Sequence, residues 1–549
     1  MLNTAVSGLL AFQRALDVTS HNISNATTEG YSRQRVNLAT REPERAANGF
    51  IGKGVQVTGV DRVYDQFLLN QLNTRTANYG QSDTYAQIAS QVESVFADPS
   101  IGLSPALDRF FNSIHGVSND PTSTPARQVM ISEAENLVET FHTLNRQVEQ
   151  IKSGVNSQVG VVVTQVNDLA ASIASLNEQI VLQTGAAGGQ PPNDLLDKRD
   201  LLIHELSEIT NVTTVAQENG AVNVYVGTGQ SLVLNVSAGR LQVSNGEFDP
   251  LNKRISLVTP SGSVPITEQL TGGKLGGLLS VKDDLLEPAQ MELGRIAASL
   301  ANVFNSQHVL GEGLNGSTGL NFFTPVDQTA VAALPSSDNN PASGNMTVTI
   351  NAIGELKASD YRVNFDGTNY SVLRLSDDTL VDSFTSADLP RAVSGEGFTL
   401  DMAGGINSGD SFLVRPTRYA AEQIGMAVTD PASIAAAQVG NNVGDNSNAL
   451  LMAGVRTSTF MDNGTSTVMD AYGNSVARIG VKTGQAKINA SAQKALMDQA
   501  YDAKESVSGV NLDEEAVNLL RYQQAYQAAA QVISVVDSLF QTLLNSVNR

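Results

Sequence analysis

His204-Glu205 is the pair in this 549-residue chain that comes nearest to catalytic spacing. On a helix, H-E-x-x-H would place two imidazoles on one face to hold zinc beside a general base. Position 208 is Glu208, so the second ligand is missing. The preceding Asp197-Lys198-Arg199-Asp200 reads as a solvated helix face. His21, His115, His142 and His308 are scattered without ligand spacing. The chain has no cysteine, which removes disulfides, thiolate zinc sites and thiol nucleophiles. No G-x-S-x-G elbow occurs. Gly272-Gly273-Lys274-Leu275-Gly276-Gly277 is glycine-rich, but neither Ser nor Thr follows Lys274. That segment reads as a tight connection into a helix, not as a phosphate loop. The sequence therefore predicts no catalytic residue, no cofactor and no metal site.

A second kind of chemistry, self-association, is written at both ends. Leu519, Tyr522, Tyr526, Ala529, Ile533, Val536, Phe540, Leu543 and Val547 step by three and four, the spacing of one coiled-coil face. From Leu519 onward only Arg521, Asp537 and Arg549 are charged. Exposed coiled coils carry Glu and Lys beside the seam to set partner and register. A helix without them expects neighbours on several sides. Leu2, Ala5, Leu9, Phe12, Leu16 and Ile23 lie on the same grid, with only Arg14 and Asp17 charged before Glu29. Two such ends suggest a subunit that polymerises through its termini. The plainer alternative is an intramolecular helical bundle.

The elements between these ends must position them. The length suggests roughly three or four domains. Hydrophobic content of 41%, with 5% aromatic and no Trp, implies aliphatic cores. A net charge of −21 argues against nucleic acid or an anionic membrane surface as partner. No apolar run approaches the ~20 residues needed to span a bilayer, so membrane insertion is not expected. Neither Lys nor Arg precedes Leu9-Leu10, so the n-region of a cleaved secretory signal is missing.

Hydrophobic periodicity changes along the chain. Leu137, Phe141, Leu144, Val148, Ile151, Val155, Val159, Val162, Val166, Leu169, Ile173, Leu176 and Ile180 predict one long helix over 127–183. The glycines at 185–189 and Pro191-Pro192 end it, and 193–209 predicts a second helix folding back on the first. Val222–Val226 and Ser231–Leu234 read as strands, with turns at Asn219-Gly220, Asn245-Gly246 and Ser261-Gly262. Val281–Val309 returns to helix. Met346–Ile350, Tyr361–Phe365 and Tyr370–Arg374 are strand-like, the last two joined at Asp366-Gly367. Helix resumes from Tyr419, interrupted by a Gly- and Asn-rich loop at Gly440–Asn448. Asn511 is the expected N-cap of the last helix, with Glu514 completing a capping box.

The expected class is α+β multidomain, with long terminal coiled-coil helices and a helical-bundle core carrying inserted, mainly-β modules that project outward. The expected units are a terminal helix at 1–30, helical core at 31–209, a β module at 210–274, core at 275–330, a second β module at 331–417, core at 418–510, and a terminal helix at 511–549.

Specific motifs then add a resemblance. In Ser20-His21-Asn22-Ile23-Ser24-Asn25-Ala26-Thr27-Thr28-Glu29-Gly30-Tyr31, the residues Asn22, Ile23, Asn25, Thr28, Gly30 and Tyr31 match a signature of the flagellar axial proteins. Ser20, His21 and Ser24 depart from it. Val510–Leu520 leading into Tyr522–Ala528 resembles the C-terminal signature of the same family. Asn193–Asp200 and Thr271–Leu279 are similar to segments of its hook–filament junction branch.

The resemblance implies a structural subunit exported unfolded, without a cleaved signal, through the flagellar export apparatus. It would work outside the cell as a ring of about one helical turn between hook and filament. Implied partners are further copies of itself, the hook protein, a second hook–filament junction protein, and an export chaperone on the C-terminal helix. The residues at 22, 25, 30 and 31 and both apolar stripes would form the assembly interface. Runner-up readings are another axial subunit (a hook or second junction protein), or an adhesin or enzyme carried on the second β module.

Overall fold

Helix α1 (Leu2–Ser24) opens the chain, and strands follow it. This computed structural model describes residues 2–46, 49–98, 102–259, 262–326, 332–341 and 343–547. The Val547 side chain and Ser261 lie outside the described residues. Gln34–Thr40 pairs antiparallel with Val55–Arg62, from Gln34 opposite Arg62 to Thr40 opposite Val55. Glu44–Ala46 and Gly49–Ile51 continue this two-stranded ribbon. The helical core expected from residue 31 is corrected here. Gln34–Thr40 and Val55–Val60 alternate polar and apolar side chains, which is a strand period.

Helices α2 (Gln66–Phe96), α3 (Leu103–Asn119), α4 (Thr124–Ala186) and α5 (Asn193–Ile209) come next. Asp65 caps α2, accepting from the amides of Phe67 at 2.8 Å and Leu68 at 3.3 Å. Ser123 Oγ caps α4 through the Ala126 amide. The expected seam of α4 is buried at Leu137, Phe141, Leu144, Val148, Val155, Val159, Val162, Val166, Ile173 and Ile180. By length and composition α4 is apolar enough to cross a membrane, yet these positions serve the protein's own core. The chain reverses with positive φ at Gly188 and Gly189, and α5 returns along α4.

Helix α6 (Gly273–Val281) passes through one π turn into α7 (Glu287–His308). Gly273 has φ +59, and a Cβ there would lie 2.1 Å from the Ile209 carbonyl carbon. The glycine-rich segment is thus a close crossing at the end of α5. After α7 the chain is largely irregular or β. The helix expected from Tyr419 is only the short α8 (Ala420–Gln423) and α9 (Ser447–Gly454). Before α9, Asp430 holds a turn through the Ala432 amide instead of a helix, and Asn441 and Asp445 bond within the loop expected at 440–448. Long helices return as α10 (Val468–Ser508) and α11 (Leu512–Val547). Helix α10 runs antiparallel to α2. Tyr472 Oη donates to Phe96 O at 2.8 Å, and Thr483 Oγ1 donates to Ala89 O at 3.2 Å.

The two β units differ in how they are held. The first has a four-stranded sheet (Val212–Ala216, Val222–Val226, Gln230–Leu234, Ser237–Ala238) and a three-stranded one (Gly262–Pro265, Arg254–Thr259, Arg240–Ser244). Its Val224, Val226, Leu232, Val233 and Ile255 belong to the same core as the helices, so this unit lies on the rod and does not project from it as a separate body. Two asparagines of α4 dock it. Asn177 bonds the amide and carbonyl of Val222, and Asn167 bonds those of Leu241.

The second unit has its own core of Tyr361, Val363, Val372, Phe398, Leu400, Phe412 and Val414. Its main sheet runs Ala332–Pro335, Ser411–Arg415, Tyr361–Phe365, Asn369–Arg374, Thr379–Thr385 in spatial order. Asp366 turns the hairpin expected there, accepting from the amides of Thr368 and Asn369 at 2.7 Å each. A buried ionic joint fixes this unit to the rod. Arg418 Nη2 lies 2.6 Å from Asp360 and 3.2 Å from Glu287, and Arg415 Nη1 lies 2.8 Å from Asp249. Burial works against the Arg418 charge, and Asp360 and Glu287 more than offset it, holding its pKa above the usual value.

Candidate assembly interface

Helices α1 and α11 pack on each other along their length. The end of α1 meets the start of α11, so they are antiparallel. On α1 the buried face is Ala5, Ser7, Gly8, Ala11, Ala15, Thr19 and Asn22. These side chains are mostly small, and the ribbon shares the face with α11: Ser7 Oγ accepts from the Val55 amide at 3.2 Å. On α11 the expected stripe faces the partner helix: Leu519, Tyr522, Tyr526, Ala529, Ile533 and Val536 are half-buried.

The stripe expected on α1 is mostly left outside the pair. Of its members only Ala5 is buried; Leu9, Phe12 and Leu16 are half-buried, and Leu2 and Ile23 are exposed. The bulky residues flank the seam because small residues fill it. Helix α11 has 36 residues against 23 in α1, so its far end runs on alone. There Phe540 is 60% and Leu543 59% exposed, with Leu539 and Leu544 beside them. Leu10 on α1 and Val517, Leu520, Val532 and Val535 on α11 are exposed as well. The pair therefore covers one apolar face of each helix and leaves others open to solvent.

The N-terminal motif closes the base of this pair. Asn22 is 1% exposed and uses its whole amide. Its Nδ2 donates to Gln34 O at 2.9 Å and Glu515 Oε2 at 3.0 Å. Its Oδ1 accepts from Tyr31 Oη at 2.7 Å and the Gln34 amide at 2.9 Å. Asn25 Nδ2 donates to His21 O at 3.0 Å and its Oδ1 accepts from Thr28, which folds the loop after α1. Gly30 has φ +77 and sits against α5, where a Cβ would meet Leu201 Cβ at 3.1 Å. This is a position only glycine fills without strain. Tyr31 is edge-on to His21. Burial first, then the carboxylates of Asp194, Asp197 and Glu515, push its phenol above the ordinary pKa, so it acts as a donor.

The segment Asn193–Asp200 lands on this motif. Asp197 accepts from the Ser32 amide at 3.1 Å and pairs with Arg62 at 2.6 Å. Asp200 takes Arg62 at 2.9 Å, and Asp194 accepts from Gln34 Nε2 at 3.0 Å. The solvated face expected at 197–200 is corrected: Lys198 is exposed, but Asp197 is buried under the ribbon and the N-terminal loop, and Arg199 is buried against Asn177 of α4 and Gly220 of the first β unit. His204 is likewise partly covered, its Nδ1 3.0 Å from Asn73 Oδ1 on α2.

Across the top, Arg33 Nη1 pairs with Glu514 at 2.6 Å. Asn511 Oδ1 caps α11 as expected, through the Asp513 amide at 3.0 Å. Glu514 has gone to Arg33 and does not complete the expected capping box. Glu515, Gln34, Arg62 and Asp197 were missed from the sequence. Their signal was the pairing of acidic and amide residues in motifs hundreds of positions apart, which has no local period. Among the described residues no group of three or more His, Asp or Glu could hold a metal ion.

Comparison with known proteins agrees with this geometry. Residues 89–323 match the flagellar hook-associated protein FlgK helical domain, and 334–416 match the flagellar hook-associated protein 1 D2-like domain. Residues 2–31 match the flagella basal body rod protein family, and 505–546 match the C-terminal family of the basal body rod FlgEFG proteins. Flagellar hook-associated protein 1 of Salmonella typhimurium is 36% identical, covering 99% of each chain. That of Escherichia coli K12 is 34% identical over 99% of each. The solved flagellar hook junction protein FlgK of Burkholderia pseudomallei superposes with a TM-score of 0.73 at 26% identity, covering 80% of this chain and 100% of that one. The chain belongs to the flagellar hook-associated protein 1 (FlgK) family.

Proposed function

We propose that the chain is a structural subunit of the bacterial flagellum that joins hook to filament. Its action is assembly, and the family to which it belongs is structural; the adhesin and enzyme readings gain no support from it. The observation that carries the proposal is the α1–α11 pair. One face of each helix is used within the molecule and apolar faces remain open on the outside. Exposed apolar surface of this extent marks an interaction site. In the assembly, copies pack through the faces that α1 and α11 leave open: the stripe beyond Val536, the exposed Val517, Leu520, Val532 and Val535, and the flanking Leu2, Leu9, Phe12, Leu16 and Ile23. The clasp at Asn22, Asn25, Gly30 and Tyr31 sets the angle at which the pair leaves the rod.

The remaining contacts follow from position in such a structure: hook protein on one side, a second junction protein on the other. An export chaperone would cover the overhang at Phe540 and Leu543 before assembly. The protein would act outside the cell. A strain lacking the gene tests this. It should build complete hooks, carry no filament, and release filament subunits into the medium. Filaments of normal length on the mutant would refute the reading.

A further inference from the structure

Lys152 on α4 differs from the other lysines. The chain has eleven, of which Lys152 and Lys282 are buried. Lys282 donates to Asn252 Oδ1. The Lys152 side chain is 7% exposed, and its nearest carboxylate oxygen is Glu149 Oε1 at 3.6 Å, beyond hydrogen-bond reach. Among the described residues its amine has no hydrogen bond. A buried ammonium is normally paired or bonded, because taking its charge out of water is costly. Burial, and then the guanidinium groups of Arg418 and Arg415 in the ionic joint, favour the uncharged amine. Glu287 and Glu149 oppose them, and the pKa stays below that of an ordinary lysine.

The exposed part of Lys152 lines a cleft of about 730 Å³ between α4 and the first β unit. Val243 and Leu251 form its apolar wall, and Asn156 Nδ2 ties that wall to α4 through the Leu251 carbonyl at 3.1 Å. The lining holds three cations, Arg146, Lys152 and Lys253, and one acid, Glu149. Arg146 is paired with Glu139 at 2.6 Å, outside the cleft. Lys253 bonds only the neutral Asn245 side chain, at 2.8 Å, and keeps an uncompensated charge on the rim. One opening thus combines an unbonded amine, an apolar wall and a free cation.

We propose that Lys152 is a carbonyl-reactive amine, a modification site for a small aldehyde that carries an anionic group. Nζ attacks the aldehyde carbon and a C–N bond forms. The carbonyl oxygen leaves as water with the two amine protons, and an imine remains. The step needs a neutral amine, which a desolvated lysine beside other cations supplies. The anionic group lies at Lys253 and the carbon skeleton lies on Val243 and Leu251. This chemistry does not depend on how the chain assembles.

The test incubates the folded full-length protein with pyridoxal phosphate, reduces the imine with borohydride and maps the labelled lysines by mass spectrometry. Lys152 should label about tenfold faster than the exposed Lys198 and Lys274. Unfolding in urea should erase that preference. Lys152 labelled no faster than these two in the folded protein would overturn the proposal. A preference that survives urea would do the same, since it would come from local sequence and not from the cleft. Pyridoxal, which lacks the phosphate, should label Lys152 more slowly than pyridoxal phosphate does. Lys253→Gln should remove that difference. Equal rates for the two reagents on wild type would overturn the anionic requirement. Lys152→Met keeps an apolar stem; it should keep the Tm and lose the fast rise of imine absorbance. A fast rise retained in Lys152→Met would assign the reaction to another amine. Should that variant fail to fold, the peptide map of the wild-type chain, folded against unfolded, still decides.

Discussion

Asn22 and Glu515 stand 493 positions apart and meet through a 3.0 Å hydrogen bond from Asn22 Nδ2 to Glu515 Oε2. The same asparagine holds both backbone groups of Gln34, as a neighbouring strand would. This is a repeated device. Asn167 and Asn177 do the same to Leu241 and Val222, and Asn305 takes the amides of Phe322 and Phe323 and the carbonyl of Phe323. Each is a helix side chain whose amide offers one acceptor and two donors to backbone groups that no neighbouring strand takes. Helix and strand are thereby joined without leaving buried peptide groups unpaired.

Asn22→Ala should release both ends of the chain together. It leaves the amide and carbonyl of Gln34, the Tyr31 hydroxyl and the Glu515 carboxylate short of a partner. The expected cost is about 2–4 kcal/mol. Hydrogen exchange should quicken both in α1 and in the first turns of α11, and limited proteolysis should trim both termini to a stable middle. Faster exchange confined to α1 would show that the two ends are not coupled.

Phe540→Asp with Leu543→Asp separates assembly from folding. Both side chains lie on the overhang of α11, beyond the reach of α1. Surface changes of this kind alter stability by about 0.5 kcal/mol or less. The doubly substituted monomer should melt with wild type by circular dichroism, yet be absent from isolated hooks. Normal incorporation would remove the overhang from the interface.

Arg418–Asp360 and Arg456–Asp108 are both 2.6 Å ion pairs and differ in burial. The first is enclosed between the second β unit and the rod, and the second is open to water. Breaking a buried pair strands a charge and costs about 3–5 kcal/mol, whereas an exposed pair contributes about 1 kcal/mol or less. Arg418→Met should therefore lower the unfolding free energy by several times more than Arg456→Met in denaturant titrations. Early proteolytic release of residues 332–415 should accompany it. Equal losses would mean that the joint is wet.

Periodicity made the long elements legible. The α4 seam, the α5 return, the two β units and the α11 stripe all follow from local spacing, because a helix or strand writes its buried face at a fixed step. Three things escaped for the opposite reason. The ribbon at 34–62 is alternating but mostly exposed, and its charges Arg35, Arg41, Arg45 and Asp61 masked the strand period. The α1 seam is built largely of Ala, Gly, Ser and Thr, small residues with little hydrophobic signal, so the spacing of the larger residues marks the flanks and not the seam. Arg199 and Asp197 are charged residues made buryable by Asn177, Ser32 and Arg62, none of them near in sequence. The motifs at 22–31, 193–200 and 510–515 were each visible separately; that they form one clasp needed the fold.

His308 gives the rod a pH dependence of definite sign. It is fully buried, with Nδ1 2.7 Å from Leu320 O and Nε2 3.0 Å from the Ala435 amide. The first nitrogen must donate and the second accept, so the ring is neutral. Burial, the largest influence, lowers its pKa below the ordinary 6.5. A group depressed on folding stabilises the native state fully above its unfolded pKa. That contribution is lost as pH falls from about 6.5 toward the folded value, because the unfolded chain binds the proton more readily. His204, also depressed chiefly by burial, adds a term of the same sign. The histidine contribution to Tm, read as wild type minus His308→Gln, should therefore drop between pH 7.5 and 5.5; Asp283, pushed up to about 6 chiefly by burial, acts in the opposite sense and is common to both proteins. His308→Gln should start lower, having lost part of the bridge from α7 to Ala435, and should show a shallower drop. A slope unchanged in His308→Gln would mean that His308 takes up no proton over that range on unfolding.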